Sequence, residues 1–75
     1  MKELIEYIAK SIVNSPDEVV VTEETDEEGT KFTLQVAEED KGRVIGKQGR
    51  IAAAIRTLIR VKAAKAGTRA TLEIL

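Results

Sequence analysis

Two glycines three residues apart, in Val44-Ile-Gly-Lys-Gln-Gly-Arg50, interrupt a stretch that reads as helix on either side. Gly46 can end the first helix in a left-handed conformation, and Gly49 can open the next with no side chain in the way. The two helices are therefore expected to meet at a bare turn where a ligand can touch main chain. The second helix begins with unpaired N–H groups and the positive end of its dipole, which attract an anion. Lys47 and Arg50 add two full positive charges there. A cation at a helix start opposes the dipole unless an anion joins it, so the pattern points to a bound phosphate chain.

The rest of the chain supplies the framework for that turn. Leu4, Ile5, Ile8, Ala9, Ile12 and Val13 recur at helical spacing over residues 2–14, predicting a core-facing helix that Asn14-Ser15-Pro16 stops. A Val- and Thr-rich strand is expected from about Glu18 to Thr25, then a turn at Asp26-Glu27-Glu28-Gly29. Beyond it Phe32, Leu34 and Val36 alternate with Lys31, Thr33 and Gln35, the period of a strand with one buried face, so the pair reads as a hairpin. Glu38-Glu39-Asp40 places acid at the start of a short helix closed by Val44 and Ile45. A longer helix, about Arg50 to Lys65, carries Ile51, Ile55, Leu58 and Ile59 as its core stripe and stops at Gly67. Residues 69–75 alternate Ala70, Leu72 and Ile74 with Thr71 and Glu73, a third strand. The order αββααβ predicts an α+β sandwich of two layers, with three strands and three helices on one face, and with Tyr7 and Phe32 in its core.

Composition narrows the function. Seventy-five residues make one domain, and a chain this size buries only about 60% of its unfolded surface. Without cysteine or histidine it lacks disulfides, thiolate nucleophiles, most zinc sites and the usual general base, so an enzyme is not expected and no cofactor is implied. No apolar run approaches a membrane span, and the first residues do not resemble a signal peptide, so a cytoplasmic protein is expected. The net charge of −1 conceals a division: residues 1–40 hold three Lys/Arg against twelve Asp/Glu, residues 41–75 nine against one. Either the halves pair with each other or the second faces a polyanion. Gly42 to Gln48 superficially resembles a nucleotide P-loop, but its glycine spacing is one residue short and Gln48 replaces the magnesium-binding Ser/Thr. The acids from Glu23 to Glu28 lack the spacing of a calcium loop and read as a solvated turn.

The G-x-x-G joining the second and third helices of an αββααβ order, with Val-Ile-Gly before it and a basic helix behind, resembles a KH domain of the bacterial type II topology over residues 1–75. The stretch from Asp40 to Arg56 is similar to that of the free-standing bacterial KhpA family. The resemblance implies an α+β domain with a three-stranded mixed sheet, non-catalytic, clamping about four single-stranded nucleotides. Gly46, Lys47, Gln48 and Gly49 are then expected on phosphate and sugar, with Arg43 and Arg50 beside them. Val44, Ile45, Ile51 and Ala52 are expected on the groove floor or in the core beneath it, and Ala53 adjoins them. Ala52 stands where many KH domains carry a large aliphatic residue. The family also implies a homodimer, or a complex with a KhpB (Jag)-type RNA-binding protein, and roles in RNA regulation, envelope homeostasis and cell-length control. A candidate pairing face on the long helix holds Ala53, Arg56, Thr57, Arg60 and Ala64. A second reading is a dimerisation or scaffold unit with incidental RNA contact, which the acidic hairpin turn favours.

Overall fold

Helix α1 (Lys2–Ile12) buries Ile5 and Ala9, with Met1, Ile8, Ile12 and Val13 partly covered against the same core, in a computed structural model that describes Met1–Leu75 throughout. The helix ends where Val13 turns extended. Pro16 then opens a one-turn 3-10 helix, Pro16–Glu18, at a position where its missing N–H costs nothing. That turn consumes the residues expected to begin the first strand, which starts at Val20 instead.

Strands β1 (Val20–Asp26) and β2 (Gly29–Gln35) pair antiparallel with Val21 opposite Leu34 and Asp26 opposite Gly29. The connection is therefore only Glu27-Glu28, and the Asp26 carboxylate accepts the Glu28 N–H at 2.8 Å, a side chain closing its own turn. After a 3-10 turn at Glu38–Asp40 come α2 (Lys41–Ile45) and, past the two glycines, α3 (Arg50–Lys65). The short helix expected from Glu38 is thus split in two, while α3 keeps its expected bounds. Its last carbonyls are satisfied by Thr68 N–H on Ala63 O at 2.9 Å and Gly67 N–H on Ala64 O at 3.1 Å, with Gly67 left-handed. Strand β3 (Ala70–Ile74) returns parallel to β2, Leu72 beside Phe32, giving the sheet order β1-β2-β3. The sheet is mixed, and the expected αββααβ order is the observed one.

All three α-helices cover one sheet face, and the core between the layers is built from Ile5, Val21, Phe32, Leu34, Val44, Ile55, Ile59 and Leu72. The other face presents Lys31, Gln35, Thr71 and Glu73 to solvent. There Lys31 Nζ lies 3.2 Å from Glu73 Oε2, an exposed pair worth less than about 1 kcal/mol.

Two core assignments need correction. Tyr7, expected inside with Phe32, stands 72% exposed on the back of α1, while Phe32 is 2% exposed at the sheet centre. Ser11 Oγ bonds to the Tyr7 carbonyl at 2.7 Å, on that same solvent-facing side. In α3 the buried residues are Ala52, Ile55, Ile59 and Ala63, whereas Ile51 and Leu58 are exposed. Both sets fit a helical period. Packing against β3 selects the row flanked by alanines, which lets helix and sheet approach closely. No helix is long and apolar enough to cross a membrane.

Candidate nucleic-acid interface

The turn between α2 and α3 takes its shape from three consecutive backbone demands. Gly46 N–H closes α2 on Gly42 O at 2.9 Å, and Gly46 then adopts φ 75°, ψ 176°. Gln48 (φ 56°) and Gly49 (φ 73°) follow in the left-handed region, and Gly49 N–H bonds to Gly46 O at 3.2 Å. The two glycines are needed for different reasons. A Cβ at Gly46 would stand 2.6 Å from Ile51 Cγ1, inside its own protein. A Cβ at Gly49 would meet nothing within 4 Å, so the space above Gly49 is open to a ligand. Both positive φ values are ones that L side chains rarely adopt.

The side chains of the turn are equally accessible. Lys47, Gln48 and Arg50 are exposed, and Arg50 Nη2 donates to Gln48 Oε1 at 3.2 Å, bracing the one non-glycine residue held left-handed. No side chain caps the N-terminus of α3, and no acid occupies its first turn. A helix dipole and two lysine/arginine charges therefore meet at a solvent-exposed turn. Only Arg43 of the nine Lys and Arg after residue 40 pairs with an acid. The charge division is thus not consumed by pairing between the halves, and the basic half keeps its field for a partner.

Asp40 holds this apparatus to the rest of the domain. It is fully buried, and its two carboxylate oxygens accept the N–H groups of Asn14 and Ser15 at 3.1 and 3.0 Å. Arg43 Nε lies 3.6 Å from the same carboxylate. Asp40 had been expected to complement the dipole of its own helix; instead it turns back to the corner after α1 and makes no side-chain cap on α2. A buried carboxylate needs charge-assisted bonds to be tolerable, and here it has two, with the Arg43 ion pair beside them. An acid beside a basic helix was visible in the sequence, but nothing there showed which distant N–H groups it would meet.

The aliphatic candidates divide. Val44 is fully buried and Ala52 nearly so, which places both in the core beneath the surface, the second of the two positions expected for them. Ile45 and Ile51 remain exposed on either side of the turn, and Ile51 packs on Gly46. Ala53 and Arg60 are exposed along α3. Arg56 belongs to the seam between α3 and β3, where its Nε donates to Leu72 O at 3.3 Å. Thr57 Oγ1 bonds back to Ala53 O at 3.0 Å, and Ala64 is exposed. The face chosen for pairing is therefore solvent-accessible but mostly polar, and the large exposed apolar groups of α3, Ile51, Leu58 and Val61, lie on another flank.

The acidic hairpin turn stands well apart. Gly29 packs against Arg69, beyond the C-terminus of α3, whereas the glycine turn adjoins its N-terminus. The sixteen residues of α3 separate the two by about 24 Å, several times the roughly 8 Å over which exposed charges act at physiological salt.

A helix pair joined by an open G-x-x-G turn, set on a mixed three-stranded sheet in αββααβ order, defines the KH class. The KhpA/KhpB KH-domain family model matches residues 2–74, and the chain belongs to that family. It is 56% identical to the RNA-binding protein KhpA of Clostridium acetobutylicum and 51% identical to that of Clostridium perfringens, in each case over the full length of both chains. It is 50% identical to the RNA-binding protein KhpA of Treponema pallidum over 99% of this chain and 92% of that one. No solved structure matches it significantly.

Proposed function

We propose that this protein is a non-catalytic, single-stranded RNA-binding module that seats the sugar-phosphate chain on Gly46-Lys47-Gln48-Gly49, acting as an RNA chaperone or post-transcriptional regulator. The observation that carries this reading is the left-handed Gly49 with open space where a Cβ would stand, close in sequence to exposed Lys47, Gln48 and Arg50. Sequence kinship supports RNA as the polyanion, since the full-length relatives are RNA-binding proteins by name. Arg50 adjoins the turn and adds long-range attraction, while Arg43, on the other side, shares its charge with Asp40. Replacing Lys47 and Gln48 together by Asp is expected to abolish RNA binding in an anisotropy titration while leaving the melting temperature nearly unchanged, because both side chains are exposed. Unaltered affinity would count decisively against the proposal. If about three phosphates are contacted, log affinity should fall against log salt with a slope near −2.

A second reading, a unit for pairing two copies of the chain, is favoured by Ile51, Leu58 and Val61, which expose apolar surface along one flank of α3. A single straight helix can place such a row against its own copy across a two-fold axis. Sedimentation of Leu58→Asp against the unaltered protein tests it: loss of a dimer supports self-pairing. A monomer that sediments as a complex only with a KhpB-type chain transfers the surface to that partner.

A further inference from the structure

The geometry points to Arg56 as a specificity-determining residue that reads bases carrying two adjacent hydrogen-bond acceptors, guanine at O6/N7 or cytosine at N3/O2, in preference to adenine and uracil. The inference rests on the RNA reading above and deepens it. Arg56 is the one cation of α3 whose guanidinium is bonded to main chain of the neighbouring strand: Nε donates to Leu72 O at 3.3 Å. Strand β3 is an edge of the sheet. Its Leu75 N–H bonds back to Leu34 O, so residues of that parity face β2 and Leu72 faces outward, toward α3. Arg56 therefore spans the seam from helix to edge strand, and this bond holds its guanidinium at that seam.

Spending Nε on Leu72 leaves the end-on pair, Nη1 and Nη2. Neither makes a hydrogen bond, and Arg56 pairs with no acid. Two parallel N–H donors in one plane match two adjacent acceptors in one plane, the geometry behind the commonest specific arginine–base contact. Adenine offers a donor beside N7, and uracil separates its two carbonyls by an N–H, so each leaves one arm of the fork unpaired. Ala53, one turn nearer the glycine turn on the same flank, is exposed and small, which leaves room for a base between the turn and the fork. Arg56 lies seven residues along α3 from Gly49, about 10 Å at helical rise and within the four nucleotides a KH clamp covers.

The test compares four ribo-octamers, U8, (UA)4, (UG)4 and (UC)4, by anisotropy with the whole chain and with Arg56→Lys, which keeps the charge and loses the fork. The unaltered protein is expected to bind (UG)4 or (UC)4 about tenfold more tightly than (UA)4 and U8, and whichever of the two is favoured identifies the acceptor pair. In Arg56→Lys that ratio should fall below about twofold while U8 affinity changes little. Should Arg56→Lys fail to fold by circular dichroism, Arg56→Gln is measured instead, with the same loss of ratio expected. Equal binding of all four octamers, tightest binding of U8 or (UA)4, or a ratio retained in the Lys or Gln variant overturns the role of Arg56. Absence of binding to every octamer, with no effect of the Lys47 and Gln48 substitutions, overturns the RNA reading itself.

Discussion

Two of the tight turns that carry glycine at positive φ, Asp26–Gly29 at the hairpin tip and Gly46–Gly49 between α2 and α3, are built for opposite ends. At the tip a Cβ on Gly29 would stand 2.5 Å from Arg69 O, and Thr30 N–H donates to that same carbonyl at 2.9 Å. The space glycine leaves is filled by the protein. Asp26, Glu27 and Glu28 bring negative charge to this exposed tip, where the Asp26 carboxylate closes the turn on the Glu28 N–H. At the second turn the protein fills only the space beside Gly46, through Ile51, and leaves Gly49 bare among cations. A glycine in a loop therefore marks a ligand site only where its missing side chain is not replaced from within.

The largest test of that contrast concerns the filled positions. Gly46→Ala should cost about 3 kcal/mol in urea unfolding, from backbone strain and overpacking together. Adding Ile51→Ala should return the overpacking share, so the double-mutant cycle is non-additive. Additive losses would mean that Ile51 does not set the shape of the turn. Asp40→Ala removes the anchor of α2 and leaves two N–H groups without partners, an expected loss of about 2 kcal/mol by thermal melting. A melting temperature unchanged by that substitution would contradict the buried hydrogen bonds. Gly49→Ala places a Cβ in open space, so its stability cost is only the left-handed strain, about 1 kcal/mol, while RNA affinity in a filter-binding assay should drop at least tenfold. The smallest effect belongs to the tip: Glu27→Lys with Glu28→Lys should shift stability by less than about 0.5 kcal/mol and RNA affinity by less than about twofold at 0.15 M salt. A large gain in affinity would place the tip beside the bound strand and erase the distinction between the two turns.

Much of this was legible before any coordinates. The hydrophobic period changes from helix to strand and back at the right places, and the bounds of α3 and the location of its glycine break follow from the chain alone. The readings that failed share one cause. Ile51 and Leu58 read as core beside Ile55 and Ile59 because apolar residues cover too wide an arc of α3 for its own sequence to choose a face. Tyr7 looked like core by type, yet its position on the back of α1 outweighs its hydrophobicity. Arg56 looked like a surface residue suited to pairing until the edge strand placed Leu72 O within its reach.

Local chemistry determined where this chain is helix, where it is strand and where its backbone lies bare, since period, caps and glycines act over a few neighbouring residues. Only the tertiary structure decided which bare turn stays open, which carboxylate is buried and which arginine is held. Those outcomes depend on contacts such as Asp40 to Asn14, Arg69 to Gly29 and Arg56 to Leu72, between residues far apart in sequence, whose meeting is set by how helices and sheet pack and not by any one segment.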